Sequence, residues 1–125
     1  MCALFPIFRQ NKNAPGIPGR SCLKRKEKKL NNPFIFTEYG ADTLASEHKL
    51  PSVMWSQEYQ DEYLKMTHEV FDSYDFIKGE QIWNFADFQT TEGIMRVNGN
   101  KKGVFTRQRQ PKAAAFAIRK RWLEK

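Results

Sequence analysis

A glutamate at the end of a short apolar run is the first residue whose position suggests chemistry. Residues 34–37 (FIFT) are apolar and β-prone and lie between Pro33 and Gly40, as is typical of a buried parallel strand. Glu38 closes this run. At the C-terminal strand ends of a parallel barrel, a carboxylate can act as nucleophile, general base or metal ligand. Position alone leaves open the alternative that Glu38 only hydrogen-bonds to backbone or solvent.

A second strand-like run, residues 80–84 (EQIWN), leads into the aromatic sequence WNFADF at residues 83–88. An aromatic ring at the mouth of a strand can stack on a sugar, because the apolar ring face packs while the hydroxyls reach polar neighbours. Trp83 could serve in this way or belong to the core. Asp87 could pair with a nearby base or cap a turn.

A polar, cationic stretch follows at residues 96–103 (RVNGNKKG). Its Asn98-Gly99 pair strongly favours a tight turn, which predicts a solvated hairpin. The alternative interpretation is functional. A loop with these cations and amides can bind a ligand that carries a carboxylate.

One helix is predicted between the two strands and another near the end of the chain. Ser56 can cap a helix over residues 56–73, with Glu58 and Asp61 near its positive end. Apolar side chains at helical spacing predict its buried stripe, namely Tyr59, Tyr63, Met66, Val70 and Tyr74. Pro111 suits the first turn of the final helix, and the alanine-rich residues 113–117 favour its continuation to Trp122.

The order strand, helix, strand, helix predicts an α/β fold of two consecutive βα units with a right-handed crossover. Two such strands cannot bury both of their faces, and a closed (β/α)₈ barrel needs about 250 residues. The pattern therefore predicts either a piece of a barrel or a sheet that a partner completes.

The net charge of +7 belongs to the start of the chain. Residues 1–32 hold eight of the 21 basic residues and one of the 14 acidic ones, which leaves 13 of each sign in the rest. Residues 1–31, which include a proline- and glycine-rich stretch and a lysine run, are predicted to be a disordered basic leader, with a basic docking patch as the alternative. The neutral remainder argues against a broad nucleic-acid surface there.

Other signals are weak. Cys2 and Cys22 match no metal spacing, and the short apolar start of the chain is not a convincing secretory signal. No apolar run approaches the roughly 18 residues of a membrane span. His48 and His68 are expected to be structural or solvated, and no metal site is predicted.

Taken together, three motifs resemble the β-glucuronidases of glycoside hydrolase family 2. They are residues 37–44 (TEYGADTL), 83–88 (WNFADF) and 100–107 (NKKGVFTR), in the expected order and spacing. Residues 106–112 look particularly like the animal enzymes. The resemblance covers residues 32–123 and implies that residues 32–125 form the last two βα units of a TIM barrel, whereas the leader resembles nothing in the family.

The resemblance also implies roles for particular residues. Glu38 matches the family's nucleophile, and Trp83 matches an aromatic residue that lines the sugar pocket. Asn100 and Lys102 match an Asn-x-Lys pair that recognises the C6 carboxylate of glucuronate, and Arg96 matches a further basic residue near it. The implied partner is a glucuronide substrate, with no cofactor, metal, nucleic acid or membrane. Relatives of full length are homo-oligomeric, and the location implied is lysosomal or secreted.

The second catalytic carboxyl of this family is not found in the sequence. A retaining glycosidase needs an acid/base carboxyl about 5–5.5 Å from the nucleophile. In this family that glutamate follows an asparagine, and the chain has no Asn-Glu dipeptide. Glu80 lies upstream of Trp83 and is expected deep in the barrel. We therefore expect a β-glucuronidase fragment that does not hydrolyse glucuronides alone.

Two other functions stay open at the level of sequence. The first is a non-catalytic module that binds glycans or other polyanions, with the basic leader contributing contacts. The second is another family 2 activity, such as that of a β-galactosidase. The Asn100-x-Lys102 pair argues against this second activity, because a neutral sugar offers no anion to these groups.

Overall fold

The computed structural model describes residues 32–94, 96 and 98–124. Within this part of the chain, strands and helices alternate: β1 (Phe34–Tyr39), α1 (Gln57–Asp72), β2 (Ile77–Ile82) and α2 (Ala113–Glu124). The predicted order and the α/β fold class are confirmed. The predictions for the leader, for its two cysteines and for a secretory signal lie outside the described residues.

The two strands pair in parallel, with Phe34 opposite Ile77 and Tyr39 opposite Ile82. Parallel strands require a long crossover, and α1 occupies it. Both helices pack against the same face of the sheet, because Leu64 of α1 and Ile118 of α2 share one apolar core with strand residues. The functional side chains must therefore be sought on the other face or at the strand ends.

Aromatic side chains form much of this core. Phe36 stacks on Phe71 of α1 at a centroid distance of 4.3 Å, and Tyr39 meets the same ring edge-on at 5.1 Å. Tyr59, Tyr63, Val70 and Tyr74 of the predicted stripe are buried, together with further residues, whereas Met66 is only half-buried. Such contacts stabilise the fold through the large apolar area that each ring removes from water.

The helix α1 begins where the sequence predicts. The Ser56 hydroxyl oxygen accepts a hydrogen bond from the Tyr59 amide at 3.2 Å and so satisfies one of the free donors of the first turn. The last helical residue is Asp72, and the following Ser73 hydroxyl donates to the carbonyl of Val70. These local caps explain why the predicted range of residues 56–73 is nearly correct.

The predicted bounds of the second strand were wrong. β2 begins at Ile77, three residues earlier than expected, and ends at Ile82 rather than Asn84. Lys78-Gly79 does not look strand-like, but pairing with β1 decides the conformation there. A Cβ on Gly79 would lie 3.2 Å from the Ile35 side chain, so the absence of a side chain allows this packing.

The start of the final helix also differs from the prediction. α2 begins at Ala113, so Pro111 precedes the helix and instead pairs with Phe105 in an isolated bridge. The Ala113 amide donates to the side-chain carbonyl of Gln57 at 2.7 Å. This cap comes from the start of α1, which a local sequence pattern cannot reveal.

Glu80 does not lie deep on the barrel side of the sheet, and that prediction was wrong. Its carboxylate accepts hydrogen bonds from the Arg121 guanidinium at 2.9 Å and from the Trp122 indole at 3.3 Å, both on α2. Arg121 also bonds Asp72 at the end of α1. Glu80 thus faces the helices and ties them to β2.

Candidate active site

Glu38 is exposed near the C-terminal end of β1. The next residue, Tyr39, is buried on the helical side, where its hydroxyl and His68 Nε2 are 2.9 Å apart. Burial raises the pKa of Tyr39, so this hydroxyl stays protonated at neutral pH. The strand is irregular between Phe36 and Tyr39, so both of these side chains reach Phe71 of α1, whereas Glu38 between them is exposed.

The end of β2 lies directly beside the end of β1. The Trp83 amide donates to the Tyr39 carbonyl at 2.8 Å, and a Cβ on Gly40 would come within 2.1 Å of the Trp83 carbonyl oxygen. Gly40 is thus required by a close approach between the two chain segments. The Trp83 ring is 39% exposed and meets Phe88 edge-to-face at 6.1 Å. Trp83 therefore lies at the strand mouth rather than in the core.

The predicted turn at Asn98-Gly99 is confirmed. Both residues have positive φ values, 58° and 89°, which asparagine and glycine adopt readily in turns. The amides and carbonyls of Phe88 and Asn100 bond each other at 2.9 and 3.3 Å, and a Cβ on Gly99 would meet the Phe88 carbonyl. The loop that this bridge closes returns residues 100–103 to the strand ends, where the Asn84 amide donates to the Lys102 carbonyl at 3.2 Å.

Two of the three predicted anion-binding residues, Lys102 and Arg96, contact a carboxylate, Asp42. Its Oδ2 lies 3.2 Å from Lys102 Nζ, and its Oδ1 lies 3.9 Å from an Arg96 guanidinium nitrogen. Asn100 is buried, and its Oδ1 accepts a hydrogen bond from the Lys102 amide at 3.0 Å. This bond links the Asn100 side chain to the backbone of the cationic loop.

Asp42 was not among the predicted site residues. Its position in the loop after β1, four residues beyond Glu38, was a usable signal, because an acidic residue there can pair with the cations of residues 96–102. What the sequence could not show is that the bridge between Phe88 and Asn100 brings those cations within reach.

A buried lysine connects the segments that form the site. Lys112 is 1% exposed, and its ammonium group donates to the carbonyls of Thr43 and Lys101 at 2.9 and 3.0 Å and to Asp87 Oδ1 at 2.9 Å. Burial lowers the pKa of Lys112, and the bond to Asp87 opposes this shift. Of the two roles considered for Asp87, pairing with a base is the one that the structure shows. Lys112 was not among the predicted site residues.

Two glutamines of α1 hold the same loops. Gln60 is buried, and its amide nitrogen lies 3.0–3.4 Å from the carbonyls of Ala41, Lys102 and Gly103. Gln57 donates to the Ala45 carbonyl in addition to capping α2. The first turn of α1 therefore fixes the loops that follow both strands, a role that its amphipathic pattern did not indicate.

A groove of about 460 Å³ lies elsewhere, between α1 and α2. Residues of these two helices line it, among them His68 and Arg121. It does not include the strand ends, so we place the candidate site at Glu38, Trp83 and the cationic loop instead. In the part of the chain that the structure describes, no group of three or more His, Cys, Asp or Glu side chains could hold a metal. No helix there is long and apolar enough to cross a membrane.

Comparison with known proteins identifies the family. Residues 9–124 match the model of the TIM barrel domain of glycosyl hydrolases family 2. A β-glucuronidase of Paenibacillus borealis is 60% identical over 95 residues, and that of Homo sapiens is 50% identical over 97 residues. Each alignment covers 76% of this chain but only 16% and 15% of the relative, so the chain spans about one sixth of their length. The family match begins inside the predicted leader, and the domain boundary at residues 31–32 stays a prediction.

Solved structures give the same result. The crystal structure of Ruminococcus gnavus β-glucuronidase superimposes with a TM-score of 0.82 at 66% identity, over 85% of this chain and 18% of that one. A structure of a Ruminococcus gnavus β-glucuronidase in complex with D-glucuronic acid gives a TM-score of 0.80 at 67% identity, over 82% and 18% of the two chains.

Proposed function

The chain belongs to glycosyl hydrolases family 2, and from this membership we propose that it forms part of a β-glucuronidase, which hydrolyses β-D-glucuronides with retention of configuration. The observation that carries this proposal is a juxtaposition. An exposed carboxylate, Glu38, stands at the end of β1, and the cationic loop with Lys102 and Arg96 approaches the same end of the sheet.

In this proposal the chain supplies the last two βα units of the (β/α)₈ barrel. The parallel pair β1 and β2 with both helices on one face is the arrangement that two such units have. The opposite face supports the proposal, because Ile35 is 54% exposed there and an interior strand would bury this side chain.

Glu38 is the proposed nucleophile. One of its carboxylate oxygens attacks the anomeric carbon, the glycosidic C–O bond breaks, and the leaving oxygen takes a proton from a second carboxyl. Water then attacks the covalent intermediate and releases glucuronate. Because the sequence has no Asn-Glu pair, the second carboxyl must come from outside this chain, and we propose that the 125 residues alone do not catalyse hydrolysis.

The cationic loop is proposed to select the sugar. Lys102, Arg96 and the amide of Asn100 would bind the C6 carboxylate, and the exposed ring of Trp83 would pack against the sugar. A glucuronide differs from a glucoside by one negative charge, and a charge-assisted hydrogen bond contributes about 1.5–3 kcal/mol. This difference favours a glucuronide over the neutral substrate of a β-galactosidase.

The test is a titration of the 125-residue chain with D-glucuronate and, separately, with D-glucose, in which NMR chemical shifts report binding. We expect affinity for D-glucuronate to exceed that for D-glucose by roughly tenfold, a difference of about 1.4 kcal/mol. Lys102→Met should remove this preference. Lys120→Met, which removes an exposed cation of α2, should leave it intact. A wild-type chain that binds both sugars equally would contradict the proposal.

The same preparation tests the catalytic part. We expect no release of p-nitrophenol from its β-D-glucuronide by the chain alone. If the wild-type chain hydrolyses this substrate and Glu38→Gln abolishes the activity, the chain does not need a second carboxyl from another part of the enzyme. The lysosomal or secreted location and the homo-oligomeric state stay predictions, and both bacterial and animal proteins are among the relatives.

A further inference from the structure

Asp42 stands between the two cations that are proposed to bind the substrate carboxylate. Its Oδ2 lies 3.2 Å from Lys102 Nζ, and its Oδ1 lies 3.9 Å from Arg96. The same Oδ1 accepts a hydrogen bond from the Lys101 amide at 3.1 Å. The carboxylate thus contacts both cations and the backbone between Asn100 and Lys102.

Hydrogen bonds of the adjacent backbone fix the position of Asp42. The neighbouring Thr43 is fully buried, and its amide donates to the Lys101 carbonyl at 3.0 Å. The ammonium group of Lys112 bonds the carbonyls of both Thr43 and Lys101. Asp42 therefore extends from a rigid junction between the loop after β1 and the cationic loop.

Charge gives the arrangement a consequence for binding. Lys102 and Arg96 repel each other when they converge on one point, and a carboxylate between them offsets this repulsion. Two positive charges and one negative charge leave a single net positive charge, which matches the one negative charge of a uronate. Long cationic side chains also lose rotamer freedom on binding, and a partner that already orders them reduces that loss.

We infer that Asp42 is a positioning residue that holds Lys102 and Arg96 ready for the substrate carboxylate and so sets the preference for a uronic acid over a neutral sugar. This inference rests on the proposed function. The two possible roles of Asp42 predict opposite effects of Asp42→Asn on D-glucuronate affinity. If only the net charge of the cluster matters, the substitution makes the cluster more positive and D-glucuronate should bind more tightly. If Asp42 positions the two cations, D-glucuronate should bind more weakly.

The experiment is a double-mutant cycle on the full chain with Asp42→Asn, Lys102→Met and the double variant, each titrated with D-glucuronate and D-glucose. We expect Asp42→Asn to weaken D-glucuronate binding about tenfold and to leave D-glucose binding unchanged. In the Lys102→Met background the same substitution should cost less than about twofold, because only the 3.9 Å contact with Arg96 remains. Asp75→Asn, at an exposed residue, controls for the change in net charge.

Several outcomes would overturn the inference. Equal or tighter binding of D-glucuronate by Asp42→Asn would show that charge count dominates. If Asp42→Asn weakens the binding of both sugars equally, Asp42 has a purely structural role. The same conclusion follows if Asp42→Asn weakens D-glucuronate binding as much in the Lys102→Met background as in the wild type. If Asp42→Asn does not fold, Asp42→Glu replaces it, since it keeps the charge but moves the carboxylate by one methylene, and undiminished selectivity would then overturn the inference. If the wild-type chain binds D-glucuronate and D-glucose equally, the proposed function itself is refuted. If the wild-type chain prefers D-glucuronate and Asp42→Asn keeps that preference, only the inference about Asp42 fails.

Discussion

At the scale of single residues, Lys112 is the side chain on which the geometry of the site depends most. A lysine ammonium group has three donors, and here all three are used, by Thr43, Lys101 and Asp87. Burying this charge is unfavourable, and only complete pairing makes it tolerable. Asp87 in turn accepts the Gly103 amide at 3.0 Å. The pair therefore joins α2 to the loops after both strands.

Lys112→Met should destabilise the chain strongly, because it keeps most of the apolar bulk of the side chain but leaves the Asp87 carboxylate buried without its counter-ion. Breaking a buried pair in this way costs about 3–5 kcal/mol, a large part of the stability of a small domain. Urea denaturation of Lys112→Met and of Lys120→Met, at an exposed lysine, measures the difference. The double variant Lys112→Met with Asp87→Asn should recover part of the loss. A loss below about 1 kcal/mol for the single variant would contradict this account.

At the scale of elements, the junction between the loop after β1 and the start of α1 depends on Glu58. Its two carboxylate oxygens accept hydrogen bonds from the Lys49 amide and pair with His48 Nδ1, both at 2.9 Å. The Lys49 amide and His48 lower the pKa of Glu58 from 4.5 to about 2. A first-turn carboxylate also interacts favourably with the positive end of the helix. Glu58 thus attaches the loop at residues 48–49 to the first turn of α1.

This pKa predicts how stability depends on pH. The folded-state pKa lies below the unfolded one, so the contribution of Glu58 is fully present above about pH 4.5 and is lost as the pH falls towards 2. Glu58→Gln should therefore lower the Tm at pH 6, and its Tm should approach that of the wild type at pH 2. Thermal melts across this range measure both curves, with Glu69→Gln, at an exposed residue of α1, as the control. A difference in Tm that does not change with pH would contradict the ionic role.

The helices and strands differ in how well their ends could be predicted from the sequence. α1 was predictable because its signals are local, namely the Ser56 cap and the tyrosines at helical spacing. The start of β2 was not, since pairing with β1 imposes strand structure on Lys78-Gly79. The start of α2 depends on a cap from Gln57, 56 positions earlier.

The same distinction holds within the site. The motifs placed Glu38 and Trp83 at strand ends and Lys102 in a cationic loop. The contact between Asp42 and the Lys101 amide joins residues 59 positions apart, and no local pattern encodes it.

At the scale of the whole molecule, the two βα units bury one face of the sheet and leave the other exposed. Both helices lie on the buried face, whereas Ile35 and Trp83 are exposed. The Ruminococcus gnavus enzyme, 66% identical, aligns along only 18% of its length. A barrel that supplied the remaining strands would cover the exposed face and add the second catalytic carboxyl opposite Glu38. We therefore propose that the two units can replace the aligned part of such a barrel.

A chimera provides the direct test. In the Ruminococcus gnavus β-glucuronidase, the segment that aligns with this chain is replaced by residues 32–124, and hydrolysis of p-nitrophenyl β-D-glucuronide is measured. We expect an active enzyme, because the strand ends then present Glu38 and the cationic loop to the carboxyl that this chain lacks. Glu38→Gln in the chimera should lower kcat on the order of 10³-fold or more, as removal of a nucleophile does. Glu69→Gln, on the exposed surface of α1, should leave kcat unchanged. A folded chimera that retains its activity after Glu38→Gln would show that another residue is the nucleophile.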